Sequence, residues 1–413
     1  MILRQITSAI LLLLTCLTTF GMPSNEPQPS DSSHIRVSLI TCAPGKEIFQ
    51  LEGHTALRMV KTDTKGRTVY DLAVNWGVFD FAAPGFVYRF VKGETDYMAC
   101  AYPFSLFIKE YRHEGRRVVE QVIDLSPQQA QKVEAMVSEN ILPENRVYRY
   151  NYVRDNCATR PLALLETAIG TSFHLPGDSI TSNDEELTFR KEMTRYHQNY
   201  PWYQFGIDLA LGASLDNPIS NRHRTFAPIF LEKQLAQATY ADSTGNVHNV
   251  VNETNILNDI HADAAISAPT PWILTPMAAG IALMLITLAL SYRDIRRKRS
   301  SRWFDTILYS TFFIEGCITT FLVFVSTHEA TSPNWLLLCF NPLCIIPALC
   351  IWIKKLKGVV YCYQICNFVA LILLLAGHHT LGQALNPALP LFILCNLMRS
   401  FTWIFIHRTS PRK

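Results

Sequence analysis

Two regimes of hydrophobic patterning divide the chain. From Trp272 onward, apolar positions run in blocks: Trp272 to Ser291, Phe304 to Ser326, Trp335 to Ile353, Val359 to Ala376 and Ala388 to Ile406. Each block approaches the roughly 20 mainly apolar residues a helix needs to cross hydrocarbon. The pattern predicts an all-α transmembrane domain of five helices over residues 272–406, with a short tail, 407–413. Before Trp272 the pattern changes. Short alternating runs mix with helical periodicities over residues 33–240, which predicts an α+β domain long enough for its own core. The Asn/Asp/Ala-rich stretch 241–271 predicts a linker to the membrane part. At the start, Arg4 precedes an apolar run from Ile6 to Leu17 and then a Pro/Ser/Asn-rich stretch from Pro23 to Ser33. That is the pattern of an export signal over residues 1–21, either cleaved after Gly21 or kept as an anchor.

The clearest alternation begins at Gly53-His54-Thr55-Ala56-Leu57-Arg58-Met59, passes a polar turn at Thr62 to Arg67, and resumes over Thr68 to Trp76. Period two puts Leu57 and Met59 on one face and His54, Ala56 and Arg58 on the other. A hairpin centred on Thr64 and Lys65 sets Leu57 against Leu72 and Met59 against Tyr70. The opposite face then pairs Arg58 with Asp71 and His54 with Asn75, whereas a slip of two residues brings Ala73 or Gly77 to those places. A histidine held by an amide at one ring nitrogen is free to act as a base at the other. Taken alone, a histidine at a strand end is more simply a half-exposed structural residue.

The second constellation is Tyr152-Val153-Arg154-Asp155-Asn156-Cys157-Ala158-Thr159-Arg160-Pro161, which runs into an apolar segment stopped at Gly170. Proline lacks an N–H and suits a first helical turn, and either Asp155 or Asn156 is a good cap type. Cys157 therefore sits at a helix N-terminus, where the macrodipole and the backbone N–H groups favour a thiolate and can receive an oxyanion. The plain alternative is an inert buried thiol. His54 and Cys157 each supply what the other lacks, a base and a nucleophile worth activating.

Charge sharpens the division. Charged residues are 17% of the chain, below the roughly 25% of a typical soluble protein. Residues 271–413 hold 13 Lys+Arg and 4 Asp+Glu, and the overall net charge of +3 therefore combines a basic C-terminal part with an acidic remainder. Global basicity gives no support for nucleic acid as a partner. The segment Arg293 to Arg302 has six basic residues, Lys354 to Lys357 three and the tail after Ile406 three, whereas Thr327 to Asn334 and Gly377 to Pro387 have none. The positive-inside rule then puts the tail in the cytoplasm and everything before Trp272 outside. Three cysteines, Cys42, Cys100 and Cys157, fall in the exported part; an odd number leaves at least one free thiol.

Other residues carry weaker signals. Arg112, Arg116 and Arg117, in the run Tyr111 to Val122, are expected as a solvated strand face rather than an anion site. His378 and His379 are expected as interfacial filler in an outside loop. Asp305, Glu315 and Arg399 lie within expected spans, where they either line a lipid-binding groove or pair with one another. No His/Cys spacing matches a zinc pattern and no Gly-rich phosphate loop is present, so neither metal nor cofactor is expected.

SLITCAPG from Ser38, GHTALRM from Gly53, NWGVFDF from Asn75, FVKGETDY from Phe90, EGRRVVEQV from Glu114 and DNCATR from Asp155 together resemble Lnb, a lipoprotein N-acyltransferase family of Gram-negative bacteria. PWYQFGIDLALGASLD from Pro201 and FAP from Phe226 extend the likeness, as do the five expected spans; Trp76 departs from it, standing where the family pattern has Tyr. The resemblance implies a circularly permuted papain-like exported domain, related to the lecithin:retinol acyltransferase type, with Cys157 as nucleophile and His54 as base. Asn75 as third residue comes from the hairpin pairing, not from the family. Asp80 and Arg160 match motif positions, with either structural or oxyanion-supporting roles. The implied reaction moves an acyl chain from a phospholipid, through a thioester on Cys157, to the α-amine of a diacylated apolipoprotein at the inner membrane. Two rivals share the residues: a membrane-anchored cysteine amidase or peptidase of the cell wall, and a non-catalytic assembly or lipid-binding protein with a structural Cys157.

Overall fold

The computed structural model describes residues 33–177, 187–259, 268–377 and 380–408. The expected export segment, His378 and His379, and the end of the tail lie outside these residues. The chain divides into two compact units, one of residues up to Glu192 with Pro218–Ser267, the other of Met193–Asn217 with Ala268–Lys413.

In the first unit, seven strands form one antiparallel sheet: β1 (His34–Cys42), β2 (His54–Thr62), β3 (Thr68–Val78), β4 (Asp96–Pro103), β5 (Val118–Ile123), β6 (Val147–Arg149) and β9 (Val251–Asn258), in the order β6-β4-β3-β2-β1-β5-β9. Two further strands, β7 (Thr239–Ala241) and β8 (Val247–Asn249), pair as a separate hairpin. Helix α1 (Phe86–Lys92) links β3 to β4, α2 (Phe104–Glu114) follows β4, α3 (Pro127–Asn140) follows β5, and α4 (Thr159–Ile169) follows β6. Alternation along the strands gives the sheet two apolar faces. On one, Leu39, Leu57, Met59, Val74 and Trp76 join Val133 of α3 and Leu162 and Leu165 of α4 in the main core. On the other, Ile40, Cys42, Ala56, Ala73 and Cys100 join Phe104, Phe107 and Tyr111 of α2. With both faces covered, β1 is buried without a break from Val37 to Cys42, Ser38 and Thr41 included.

The β2–β3 register differs from the expected one by two residues. Leu57 faces Val74, Met59 faces Leu72 and Arg58 faces Ala73. Two one-residue shifts add up here. Asp63 holds a five-residue loop through bonds from the Lys65 and Arg67 N–H groups, which moves the hairpin centre to Lys65. An irregularity at Lys61/Thr62 moves the pairing by one more. Because the sum is even, each side chain keeps its expected face, and the anticipated polar pairs form diagonally across the strands.

Three expectations about organisation are corrected. Residues 241–258 are not linker: β9 bonds to β5 as the sheet's edge strand, its alternation hidden by the Asn-rich composition. The run Tyr111 to Val122 is not one strand, since Tyr111–Glu114 ends α2, Gly115 caps it in a left-handed conformation, and β5 starts at Val118. Residues 193–217 cluster with the membrane helices rather than with the sheet. There the Asn386 amide donates to Asp208 (2.8 Å), the Asn334 amide to the Leu209 carbonyl (2.8 Å), and the Ala384 N–H to Asp216 (3.1 Å).

Among the described residues of the second unit, four helices are long and apolar enough to cross a membrane: Pro276–Arg297, Arg302–Phe324, Lys354–Gly377 and Leu389–Arg408. The segment expected as the third of five spans is a shorter, broken run of helical pieces: 3₁₀ turns at Trp335–Leu338 and Pro342–Cys344, then the α-helix Ile345–Cys350. Pro342 removes a backbone donor, and the Asn341 side chain accepts from the Leu343 N–H (3.1 Å) to start a new turn. Buried ionisable groups here pair with one another. Arg399 donates to Asp305 (2.6 and 3.0 Å), Asp294 (2.9 Å) and Ser291 (3.1 Å), while Glu315 accepts from Thr319 (3.0 Å).

Candidate active site

His54 opens β2 directly opposite Cys42, the last residue of β1. Gly53 before it has φ +85°, and a Cβ there would stand 2.5 Å from the Cys42 carbonyl oxygen, so the turn that delivers His54 requires glycine. The Nε2 of His54 is 2.9 Å from the Oδ1 of Asn75, which is 3% exposed. Since Oδ1 accepts, Nε2 carries the proton and Nδ1 keeps its lone pair. The same Asn75 directs its amide to the Ala73 carbonyl (3.5 Å), which fixes the side chain with Oδ1 toward the ring.

Cys157 arrives from the other chain segment. The Oδ1 of Asn156 accepts from the N–H groups of Ala158 (2.8 Å) and Thr159 (2.9 Å), while its amide donates to the carbonyls of Tyr152 and Phe226 (2.8 Å each). Asn156 thus caps the turn through Cys157 and Ala158 that leads into α4, and Gly170 (φ +94°) ends the helix one residue after Ile169. Asp155 neither caps the helix nor reaches the histidine. It forms a two-point pair with Arg160 (2.5 and 2.8 Å), whose guanidinium lies 3.4 Å from the centre of the Tyr148 ring. The Cys157 sulfur accepts a hydrogen bond from the Tyr150 hydroxyl at 4.0 Å, and the backbone N–H of Thr55, next in the chain to His54, favours its thiolate form. The sulfur therefore lies close to the start of β2, where His54 and Thr55 stand.

Burial sets the protonation of both groups. It pushes the Cys157 thiol up, against the lowering bonds from Thr55, Tyr150 and its own N–H. The expected thiolate is accordingly not the resting form, because loss of water outweighs what a helix terminus offers. Burial likewise pushes His54 down, opposed by the Asn75 bond and by Glu110, and reinforced by Arg116. The resting pair is neutral thiol and neutral imidazole. Glu52, two residues before His54, is pushed up to about 8, chiefly by burial. Cys42 and Cys100 are buried free thiols, so the exported unit carries three reduced cysteines among its described residues.

The remaining sequence-selected residues are braces. Arg58 pairs with Asp71 (2.8 and 2.7 Å) and Glu120 (3.2 Å) and lies over the Phe104 ring. Asp80 accepts from the Ala82 N–H (2.8 Å) and so shapes the turn that carries Phe81. Sequence reasoning missed Tyr150 and Glu110 and misplaced Arg116. Arg116 is 3% exposed, lies over the Tyr111 ring and donates to the Ala43 carbonyl (2.7 Å), a buried group and not part of a solvated face. Tyr150 had a signal in Tyr148-Arg149-Tyr150-Asn151-Tyr152, whose alternation leads straight to the cysteine. Its ring packs where a Gly77 Cβ would stand, 2.8 Å away, and Gly77 has φ +86°. Among the described residues, no His/Cys/Asp/Glu cluster could hold a metal ion.

Residues 27–189, which carry both constellations, match the Lnb N-terminal periplasmic domain, and residues 268–410 match the Lnb transmembrane domain. The chain belongs to the Lnb family. It is a membrane protein with a periplasmic N-terminal domain, and His54, Asn75 and Cys157 all fall within the part matched by the Lnb periplasmic model. Neither the curated proteins nor the solved structures gave a match. The match to the Lnb periplasmic domain ends at residue 189, so β7, β8 and β9 lie between the two matched segments.

Proposed function

We propose that this Lnb-family protein is a lipoprotein N-acyltransferase of the bacterial inner membrane, with a circularly permuted papain-like catalytic domain and Cys157 as acyl carrier. The observation that carries the reading is the oriented imidazole: Asn75 fixes His54 through Nε2, and the N–H of the next residue, Thr55, favours the charged form of Cys157. The order histidine-before-cysteine, with the cysteine at a helix start against an antiparallel sheet, is the arrangement expected of the permuted fold. The basic connections Arg293 to Arg302 and Lys354 to Lys357 support a cytoplasmic side opposite the catalytic domain.

In the first step, the His54 Nδ1 takes the thiol proton as sulfur attacks an ester carbonyl of a phospholipid. The C–S bond forms, and the negative oxygen is received by backbone N–H groups near the sulfur, Cys157 and Thr55 being the candidates. The C–O bond then breaks, and the imidazolium returns its proton to the departing glycerol oxygen, which leaves as a lysophospholipid. In the second step the free α-amine of a diacylated apolipoprotein attacks the thioester. The C–N bond forms, the C–S bond breaks, and the amine proton passes through His54 to the sulfur, restoring the neutral pair. Two covalent steps replace the direct attack of an amine on an unactivated ester, and a membrane-embedded chain holds both lipid substrates in one plane.

The test is mass spectrometry of a lipoprotein N-terminus from cells in which this protein is the sole candidate transferase. The wild type is expected to give the N-acylated form, and Cys157→Ala the free amine. Full N-acylation in the Cys157→Ala strain overturns the reading, and a cell-wall fragment as the acyl-enzyme's product in place of an N-acylated lipoprotein gives it to the amidase.

A further inference from the structure

The thiol is joined to the surface of its unit by an unbroken series of aromatic rings. Tyr150, which hydrogen-bonds the Cys157 sulfur, stacks on Tyr97 (4.6 Å between centroids), and Tyr97 meets Phe79 at 5.2 Å. Phe79 meets Phe81 at 4.5 Å and Phe86 at 5.6 Å. At the outer end, Phe49 is 59% exposed, Phe81 52% and Phe90 47%. Helix α1 has no buried residue, yet Val87 is 73% exposed and Tyr88 57%. A folded domain rarely presents so many large apolar side chains together unless they meet an apolar partner.

Two observations say what that partner is. The charges on α1 are neutralised within the unit, Arg89 by Asp96 and Lys92 by Glu94, which leaves a face of hydrocarbon and ring edges. The strands beneath are not sheet edges, since β3 lies between β2 and β4, and β4 between β3 and β6. The nearby edge strand β6 offers only three residues, a short ladder for an extended peptide, whereas an alkyl chain needs none. The rings lead to a thiol in a chain with four helices suited to a bilayer.

We propose that α1 and the turns carrying Phe49 and Phe81 enter the surface of the bilayer, and that the acyl chain of a phospholipid lies along Phe79, Tyr97 and Tyr150 to reach Cys157. The second half rests on the acyl-transfer reading; the first does not. Short apolar elements of this kind sit about 5–10 Å into the headgroup and acyl boundary. Asp80, outside the reacting pair, gains a role in this picture, because its bond to the Ala82 N–H holds Phe81 at the lip of the path.

The experiment uses the full chain in phosphatidylethanolamine/phosphatidylglycerol vesicles whose acyl chains carry bromine near the carbonyl end. A tryptophan added by Val87→Trp is expected to lose at least about half its added emission to the brominated lipid. One added by Val247→Trp, at a position 70% exposed on β8, is expected to keep its emission. In parallel, Phe81→Glu is expected to lower acyl loading of Cys157 from vesicle phospholipid at least about tenfold. Phe81→Leu restores loading, and alkylation of Cys157 by iodoacetamide in Phe81→Glu stays within about twofold of the parent. Equal emission from positions 87 and 247 in both lipids, with the thioester still formed, overturns the proposal and leaves acyl transfer standing. Quenching at position 87 with no thioester in the parent protein supports the inserted surface and overturns acyl transfer along with the route to it. Unimpaired loading in Phe81→Glu overturns the route.

Discussion

Arg399 in the second unit is buried and His54 in the first is half-buried, and their surroundings differ in kind. Arg399 is 2% exposed and meets two carboxylates and a hydroxyl, with Asp294 in turn accepting from Ser301 through its backbone N–H (2.7 Å) and side chain (2.6 Å). Each charge in that group is answered. Around His54 the answers are partial: one ring nitrogen is held by Asn75, the Cys157 thiol is kept neutral by burial, and the buried Thr55 Oγ1 and Arg116 Nη2 have no hydrogen-bond partner. A buried polar group with all its bonds made has nothing left to offer a substrate, whereas an oriented but incompletely bonded one does. The difference separates a polar cluster that fixes helices from one suited to chemistry.

Substitutions on both sides can break that contrast. The largest effect is expected from Cys157→Ala, a loss of acyl transfer of at least about 10³-fold with the melting temperature almost unchanged. The readouts are a transfer assay and thermal melting in detergent, and a melting temperature that falls along with activity would make the cysteine a structural residue. Arg399→Leu should do the reverse, since it strands two buried carboxylates at a cost of about 3–5 kcal/mol while the specific activity of the folded fraction is retained. Melting and activity per folded molecule decide it. Asn75→Ala removes the bond that orients the imidazole and is expected to forfeit a good part of the roughly 10²–10⁴-fold that base catalysis supplies.

The pH profile sharpens the same point. Transfer needs neutral His54, and burial lowers its pKa, so the rate should be level through pH 7 and fall on an acid limb below the ordinary histidine value of 6.5. The Asn75 bond opposes that lowering, so Asn75→Ala should move the limb to still lower pH. A limb displaced upward would mean that the bond does not act on the imidazolium. The smallest effect belongs to Asp155→Asn. Its pair with Arg160 is partly solvated, with side chains 40% and 25% exposed, and its loss should cost no more than about 1 kcal/mol by melting.

How far these features were legible in the sequence follows from how locally each is determined. The faces of β2 and β3 were readable because alternation depends only on neighbouring residues, and His54–Asn75 and Arg58–Asp71 followed from it. The register was not, because alternation records neither which N–H groups the Asp63 carboxylate captures in the loop nor the irregularity at Lys61/Thr62. A cap at Asp155 or Asn156 was expected, and the choice fell to Asn156 because an amide can also donate to Tyr152 and Phe226, which a carboxylate cannot. β9 was hidden because an edge strand needs little apolar content. The broken third segment was read as a span because its composition is apolar throughout, although Pro342 and Pro347 were visible in it. The neutral resting thiol could not be foreseen, since the extent of its burial is a property of the assembled fold.

The path of the backbone has a practical and biosynthetic consequence. The polypeptide leaves the sheet-bearing unit at Met193, returns at Pro218 and supplies the edge strand only at Val251–Asn258. No single scission can therefore liberate that unit intact: a fragment stopped before Met193 lacks its closing strand, and one carried to Ser267 drags along 25 residues native to the other body. During synthesis the edge β5 must wait, uncovered, until Asn258 has been translocated, a window in which a holdase would find an open strand to guard.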